Sequence, residues 1–364
     1  MRVLISGGGT GGHLFPAMAI ADQLKEADPS VEILFVGAKG KIEMERVPKA
    51  GYAIKGLWIS GIDRNLKNPR NLIFPFKLLT SLIKSFWINL RFRPDIGIGV
   101  GGFASGPALF MAKLMGTKLL LQEQNSFPGI TNKLLGKRAD KVCVAYPGME
   151  RFFSKEKIVE TGNPVRRVLQ QPLHSTTDAA AHFNIDSNNP VVFVFGGSLG
   201  ARSINQALMH HVEFFKSNPT IQLIWQTGKT MNKICLDSAL AELPNVQVHA
   251  FIHRMEWAYA LADVVIGRAG ALTISELCLQ EKASILVPLP SAAEDHQTKN
   301  AMALVERGAA KMIRDKDLKE QLVKELRNLL DQSTIREDLE KSIKKLGHKD
   351  AAVHIVEEIK HLVS

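Results

Sequence analysis

Cysteine is scarce in this sequence. Its 364 residues include three cysteines, Cys143, Cys235 and Cys278, which are scattered and lack the spacing of zinc ligands. An odd, scattered set excludes a disulfide framework and indicates buried thiols in a reducing compartment. The N-terminus has neither a charged segment nor a cleavage site before its apolar run, so we expect no signal peptide.

The sequence also shows no compositional bias toward disorder or collagen-like repeats. Hydrophobic residues make up 45% and charged residues 23%, which is typical of a globular protein long enough for two domains. Apolar strand-like runs alternate with helix-length segments, and this predicts an α/β fold with parallel sheets. The runs lie at 3–6, 31–36, 95–100, 119–121, 142–144, 191–195, 221–225, 246–249, 264–266 and 285–287.

The two halves of the chain are alike. A strand runs into a glycine loop at 3–12 and again at 191–200, and segments 94–107 and 262–273 form a second such pair. This predicts two Rossmann-like domains, 1–162 and 163–349, with a C-terminal helix at 350–364 that packs back on the first. Ligands of such sheets bind beyond the carboxyl ends of the strands, so we expect the site in a cleft between the domains.

A ribose-binding acid is missing where a dinucleotide site would need one. Gly7, Gly9 and Gly12 fit the G-x-G-x-x-G pattern, but the second strand ends at 35–39 without Asp or Glu. This argues against a nicotinamide enzyme. The Gly-Lys-Ser/Thr of a P-loop is also missing. What remains is a phosphate-binding loop at a helix N-terminus.

His13 closes this loop at the start of the predicted helix. The positive end of a helix disfavours a protonated ring, so we expect a neutral imidazole at pH 7, as a general base requires. A helix cap or a packed ring is the alternative. Glu123 is a second candidate base, or a group that orients substrate.

The second half carries a matching polar set. Segment 271–276 begins a helix whose backbone N–H groups at Leu272 and Thr273 would face a phosphate, with Glu276 placed for ribose hydroxyls. A capping carboxylate is the alternative for Glu276. Segment 295–300 is rich in side chains that suit a sugar. Residues 315–317 read Asp-Lys-Asp, a metal-binding pattern of some glycosyltransferases, but we interpret them as solvated surface.

The net charge of +10 favours an acidic partner. Segment 64–93 has no acid and seven basic residues, Arg64, Lys67, Arg70, Lys77, Lys84, Arg91 and Arg93. Its apolar residues follow helical spacing, and they include Phe86 and Trp87. This predicts a basic amphipathic helix on an anionic membrane surface. An ordinary surface helix with its apolar face inward is the alternative, and nothing indicates nucleic acid.

Seven co-linear motifs resemble those of the MurG family of bacterial glycosyltransferases, in glycosyltransferase family 28. They lie at 8–13, 101–107, 123–125, 162–166, 196–202, 271–276 and 296–300. The resemblance implies a GT-B fold, which consists of two Rossmann-like domains around a cleft. It implies inverting transfer of N-acetylglucosamine from UDP-N-acetylglucosamine to lipid I, giving lipid II for the peptidoglycan cell wall, without cofactor or metal. Leu199 departs from the family, where glutamine is common, and puts one donor contact in doubt.

The resemblance assigns the donor mainly to the second half, at Arg166, Ser198, Ile252, Ala271, Leu272, Thr273, Ile274, Ser275, Glu276 and Gln297. The backbone of Ile252 would contact uracil, Glu276 the ribose and Gln297 the sugar. Ser198, Leu272 and Thr273 would bind the diphosphate, and Arg166 the nucleotide. Asn125 and the loop of Thr10, Gly11 and Gly12 would reach the sugar from the first half.

For the acceptor, the resemblance implies a pyrophosphate site at Gly8, Gly9, Gly101, Gly102, Ser105 and Gly106. His13 would deprotonate the muramyl C4 hydroxyl, directly or with Glu123. Lys77, Lys84, Phe86 and Trp87 would contact the cytoplasmic face of the inner membrane, where cell-wall and division proteins are possible partners. A UDP-sugar 2-epimerase, a transferase acting on another lipid and a non-catalytic nucleotide-sugar-binding or scaffold protein are the alternatives.

Overall fold

The computed structural model describes residues 1–61, 69–165, 167–169, 175–197 and 199–364. The chain divides into two compact units. The first comprises Met1–Arg166 with Lys349–Ser364, and the second comprises Arg167–His348. Each unit is a parallel sheet with helices, so the prediction of two Rossmann-like domains is confirmed.

The first unit contains a seven-stranded sheet in the order β3-β2-β1-β4-β5-β6-β7, and all of its described strand pairs are parallel. The strands are β1 (Arg2–Ser6), β2 (Glu32–Ala38), β3 (Ala53–Leu57), β4 (Ile96–Gly99), β5 (Lys118–Glu123), β6 (Lys141–Val144) and β7 (Ile158–Glu160). The order reverses between β1 and β4, and a parallel sheet of this kind binds ligands at such a reversal.

In the part of the chain that the structure describes, the α-helices between these strands are α1 (Gly11–Ala27), α2 (Glu43–Lys49), α3 (Phe74–Phe92), α4 (Ser105–Leu114) and α5 (Ile130–Gly136). The inner strands are apolar along their length because helices cover both faces of the sheet. One core lies under α1 and the other under α4, and the sheet separates them.

The second unit repeats the plan with a six-stranded parallel sheet in the order β10-β9-β8-β11-β12-β13. Its strands are β8 (Val191–Phe195), β9 (Gln222–Gln226), β10 (Val246–His249), β11 (Val264–Gly267), β12 (Ser284–Leu286) and β13 (Lys311–Met312). The order reverses between β8 and β11, the counterparts of β1 and β4. The chain therefore contains the same six-strand topology twice.

The helices of the second unit are α6 (Thr176–Phe183), α7 (Arg202–His210), α8 (Val212–Ser217), α9 (Asn232–Leu236), α10 (Met255–Leu261), α11 (Ala271–Leu279), α12 (His296–Val305), α13 (Leu318–Asp331) and α14 (Ser333–Lys344). The last helix, α15 (Ala351–Val363), packs against α1 and belongs to the first unit. Its Ile355, Val356 and Ile359 lie in the core beneath α1.

Among the described residues, no helix combines the length and the hydropathy needed to cross a bilayer.

Candidate active site

Two glycine loops interlock at the sheet reversal of the first unit. One follows β1 and the other follows β4. A Cβ on Gly7 would collide with the Val100 side chain, and one on Gly102 would lie 2.5 Å from the carbonyl oxygen of Gly8. Gly102 also has a φ of +91°, a conformation that favours glycine. The two loops therefore need glycine to approach each other, and they form a single surface at the carboxyl ends of β1 and β4.

Ser105 ties these loops together from below. It is fully buried, and its hydroxyl lies 2.7 Å from the carbonyl oxygen of Ser6 and 2.9 Å from that of Gly101. The hydroxyl thus links β1 to the loop after β4. These carbonyl oxygens accept the single hydrogen of the hydroxyl, which a phosphate oxygen would also need. The contact of Ser105 with acceptor pyrophosphate therefore stays a prediction.

Glu43, on α2, supports the first glycine loop and was not found from the sequence. Its side chain is 1% exposed. It accepts hydrogen bonds from the backbone N–H of Gly9 at 2.9 Å and from that of Ala38 at 3.0 Å. A Cβ on Gly8 would collide with this carboxylate. One N–H of the loop is thus already bound, so an anion would have to use other donors.

Those other donors lie at the start of α1. The helix begins at Gly11 with Thr10 as its N-cap, and Thr10 makes no side-chain cap bond. The N–H groups of Gly11 and Gly12 have no partner within the helix, and the helix dipole places partial positive charge there. The first turn has no acidic residue. Thr10, Gly11 and Gly12 are at least partly exposed, as a ligand site requires.

His13 lies in this first turn, and its imidazole packs over the second glycine loop. A Cβ on Gly101 would lie 2.9 Å from the ring Cε1. The Nδ1 atom is 2.9 Å from the side-chain oxygen of Gln124, so this ring pairs with Gln124. The structure thus brings His13 together with both glycine loops, as predicted. Gln124 was missed because 111 residues separate the two in sequence.

Glu123 has a different environment from His13. It ends β5, is 1% exposed, and accepts bonds from the backbone N–H of Asn125 at 3.0 Å and the side-chain amide of Asn132 at 2.8 Å. The Asn125 side-chain amide and the Gly129 N–H also donate to it, at 3.1 and 3.3 Å. These donors use the carboxylate to shape the loop after β5. Its role as a base stays a prediction, and the geometry gives it a structural one.

The second unit holds a cavity of about 530 Å³ at its own sheet reversal. Thr273 and Gln297, both predicted donor residues, line it. The other lining residues are Gly196, Gly197, Gly200, Ala201, Arg202, Ser203, Gln206, Arg268, Gly270, Leu289 and Asp315. Gly270 is the N-cap of α11 and lines the cavity, so the N-terminal N–H groups of this helix lie at the cavity edge. The glycine loop after β8 forms the opposite side.

Arg268 lines this cavity, and the sequence analysis did not single it out. Its guanidinium lies 2.5 Å from the Asp315 carboxylate and 2.8 Å from the Ser203 hydroxyl. Asp315 also accepts from Ser203, at 2.6 Å. The interpretation of segment 315–317 as solvated surface is therefore wrong for Asp315, which is 22% exposed and holds Arg268 in place. The position of Arg268 directly after β11 was the available signal.

Glu276 and Ile252 have partners of their own. The Glu276 carboxylate is largely buried on α11 and accepts from the Tyr259 hydroxyl at 3.1 Å. The backbone N–H of Ile252 donates to the Gln226 side chain at 2.8 Å. A uracil base would therefore have to use the Ile252 carbonyl oxygen or displace Gln226. Arg166 and Ser198 lie outside the described residues.

The α3 helix leaves a broad apolar face exposed. Its inward face combines three small polar side chains with Phe74, Leu78, Ile88 and Phe92, which pack on the core under α4. Ser81, Ser85 and Asn89 are each 1% exposed and face the protein. The opposite face carries large apolar side chains that are 37–67% exposed: Phe76, Leu79, Ile83, Phe86, Trp87 and Leu90. The alternative of an ordinary surface helix with its apolar face inward is therefore wrong. Of the seven basic residues predicted around it, Arg64 and Lys67 lie outside the described residues.

Lys77 and Lys84 flank this apolar face and fold toward the end of β3. The Lys77 ammonium donates to the Ser60 hydroxyl at 2.9 Å, and that of Lys84 to the Gly56 carbonyl at 2.7 Å. Burial, together with the charges of Lys39 and Lys55, lowers the pKa of Lys84 from its usual value. Both lysines thus lie at the rim of the exposed apolar side chains.

Comparison with known proteins agrees with this geometry. The glycosyltransferase family 28 N-terminal domain matches residues 3–144, and the glycosyltransferase family 28 C-terminal domain matches residues 191–355. A protein of Flavobacterium psychrophilum called UDP-N-acetylglucosamine--N-acetylmuramyl-(pentapeptide) pyrophosphoryl-undecaprenol N-acetylglucosamine transferase is 47% identical, covering 100% of this chain and 98% of its own length.

Two solved structures extend the comparison. MurG of Acinetobacter baumannii is 28% identical with a TM-score of 0.79, covering 99% of each chain. A UDP-N-acetylglucosamine 2-epimerase of Neisseria meningitidis is 14% identical with a TM-score of 0.67, covering 99% of this chain and 100% of its own, and shares the fold alone. The predicted GT-B fold is thus confirmed, and the chain belongs to glycosyltransferase family 28, among the MurG transferases.

Proposed function

We propose that this enzyme transfers N-acetylglucosamine from UDP-N-acetylglucosamine to the muramyl sugar of lipid I, giving lipid II. The observation that carries the proposal is the 47% identity with a transferase of that name over the whole chain. The epimerase alternative rests on a structure that is 14% identical, a level that supports only the fold.

The donor site that we propose is the cavity of the second unit. Its glycine loop and the N-terminus of α11 offer backbone N–H groups to a diphosphate. Arg268 adds guanidinium N–H donors at the cavity wall, since Asp315 and Ser203 hold its side chain in one orientation. These groups would stabilise the charge that develops on the departing UDP.

The acceptor site that we propose is the paired glycine loops of the first unit. The N-terminus of α1 supplies N–H donors for pyrophosphate, and His13 lies in the first turn of the same helix. The imidazole would take the proton of the muramyl C4 hydroxyl as that oxygen attacks C1 of the donor sugar. Attack from the face opposite the leaving UDP inverts the configuration at C1.

We further propose that α3 docks the enzyme on the cytoplasmic face of the bacterial inner membrane. Six large apolar side chains are exposed on one face of the helix, where water gives them no favourable contact. Helix α3 carries no acidic residue, and Lys77 and Lys84 rim the apolar face. An apolar face edged by lysines suits the boundary between anionic headgroups and acyl chains. Lipid I would be reached from this surface.

The experiment incubates the full chain with labelled UDP-N-acetylglucosamine and a lipid I analogue, and follows UDP release. We expect release that depends on the acceptor, with labelled sugar recovered in the lipid. His13→Ala should lower kcat by about 10²- to 10⁴-fold, the usual contribution of a general base.

The control is His361→Ala, on the exposed end of α15, which should retain wild-type activity. UDP release that is independent of the acceptor would contradict the transferase and favour an epimerase. Full activity in His13→Ala would contradict only the role of His13 as the base and would leave the transferase activity standing.

A further inference from the structure

We infer that Gln124 is a positioning residue that fixes the His13 proton on Nδ1 and leaves Nε2 as the basic nitrogen. The inference rests on the proposed role of His13 as the general base. Gln124 is 1% exposed, and its side-chain oxygen lies 2.9 Å from the His13 Nδ1. Which group donates in this contact depends on how the Gln124 amide is oriented.

The surroundings of Gln124 decide that orientation. Its Nε2 lies 3.0 Å from the carbonyl oxygen of Val100 and 3.0 Å from that of Gln122, and it also contacts the Gln122 side-chain oxygen. All three neighbours are acceptors. If the amide were reversed, its oxygen would face three oxygen atoms in a buried site, which is strongly unfavourable. The amide therefore turns its NH₂ group away from His13 and its oxygen toward it.

The next contacts lock this arrangement. The Gln122 Nε2 donates to the Asn163 side-chain oxygen at 2.8 Å, and the Asn163 side-chain amide donates to the backbone carbonyl oxygen of Gln124 at 3.0 Å. Asn163 is 3% exposed and Gln122 is fully buried. Each amide thus orients the next one, and reversing one would leave buried groups unsatisfied.

The consequence for His13 follows from its partner. A side-chain oxygen without hydrogen can only accept, so Nδ1 must carry the proton and Nε2 must carry the lone pair. An amide sets the tautomer without adding charge, whereas a carboxylate in that position would also stabilise the imidazolium. Gln124 therefore presents Nε2 as the basic nitrogen of the neutral ring and places no negative charge beside it.

The first test measures the tautomer directly in the wild-type protein. Histidine is labelled with ¹⁵N, and the His13 signal among the eleven histidines is identified by its loss in His13→Asn. We expect the ¹⁵N shifts and couplings of an Nδ1–H imidazole above the pH at which the ring becomes neutral. An Nε2–H pattern would overturn the inference.

The second test uses Gln124→Leu, with Gln122→Leu as the matched control. Both variants remove a buried amide, Gln122 from β5 and Gln124 directly after it, but only Gln124 contacts His13. We expect Gln124→Leu to lose the Nδ1–H pattern and to lower kcat by about 10²-fold, with little change in the KM for UDP-N-acetylglucosamine. The control should retain the Nδ1–H pattern, because the backbone carbonyl oxygens of Val100 and residue 122 still hold the Gln124 amide in its orientation. Loss of that pattern in both variants, or in neither, would overturn the specific role of Gln124.

A fully active His13→Ala would instead refute the base itself, so the two failures are distinguishable.

Discussion

Glu43 is a buried carboxylate whose two oxygen atoms bind two backbone segments. One is the N–H of Gly9 in the glycine loop, and the other is the N–H of Ala38 at the end of β2. A carboxylate beneath a loop proposed to bind pyrophosphate weakens anion binding, because like charges repel. We infer that Glu43 contributes by fixing the conformation of the loop, while the N-terminus of α1 remains available to the ligand.

We expect Glu43→Ala to lower the free energy of unfolding by about 1–3 kcal/mol, because it leaves two N–H groups without a partner. It should also raise the KM for the lipid I analogue. The control is Glu45→Ala in the same helix, whose exposed pair with Lys49 contributes below about 1 kcal/mol. Urea unfolding of both variants checks the difference, and equal stability would refute the contact.

Residues of this kind show where sequence reasoning stops. His13 could be predicted because the glycine run and the helix start are its neighbours in sequence. Glu43 and Gln124 could not, because their partners lie 34 and 111 residues away. Their contacts depend on the order of β1, β2, β4 and β5 in the sheet. Arg268 was hidden in the same way, since its partner Asp315 lies 47 residues further along.

At the scale of one element, α3 shows a second limit. The 3.6-residue period predicts the helix and its two faces, but periodicity does not say which face is buried. The structure buries three small polar side chains, and their size lets α3 pack closely on α4. The Asn89 amide compensates partly by donating to the carbonyl oxygens of Ser85 and Ala108. The apolar face is left outward, where only a partner can cover it.

This arrangement makes a prediction about vesicles. We expect the full chain to bind phosphatidylglycerol vesicles, and the combined Phe86→Ser and Trp87→Ser variant to bind at least tenfold more weakly. The reason is the loss of two aromatic side chains from the membrane interface. The matched control is Ile234→Ser with Leu236→Ser, which removes two equally exposed apolar side chains from α9 in the second unit. Sedimentation with vesicles gives the bound fraction.

A second double variant separates the apolar from the electrostatic contribution to vesicle binding. Lys77→Gln with Lys84→Gln should weaken binding to anionic vesicles and leave the weak binding to neutral vesicles unchanged. Equal binding by the wild type and the Phe86 and Trp87 variant would refute docking through α3.

For the whole molecule, the duplication was the most predictable property. The repeated strand and glycine loop at 3–12 and 191–200 predicted two parallel sheets, and the structure has them. Nine of the ten expected runs overlap inner strands of these sheets, which carry buried residues on both faces. The tenth run, 246–249, is β10 at a sheet edge. The strands outside those runs, β3, β7 and β13, lie at sheet edges. Their side chains are partly exposed, so they lack the continuous apolar run by which the inner strands were found.

The C-terminal helix tests how the first unit is built. In the sequence, α15 follows the whole second unit, yet it belongs to the first. Its Ile355 and Ile359 are fully buried in the core with Val3 and Ile20. Ile359→Ala should therefore destabilise the first unit by about 2–5 kcal/mol, since it leaves a cavity in that core. Glu357→Ala, on the exposed face of the same helix, should change stability by less than about 0.5 kcal/mol.

Hydrogen exchange locates the effect, because each unit has its own sheet. In Ile359→Ala we expect faster exchange of the backbone amides in β1 and β4, with β8 and β11 unchanged. The helix makes its core contacts in the first unit, so the lost packing energy lowers the cost of opening that unit alone. Faster exchange confined to the second unit, or equal exchange in the Ile359 and Glu357 variants, would contradict this assignment of the chain's last helix.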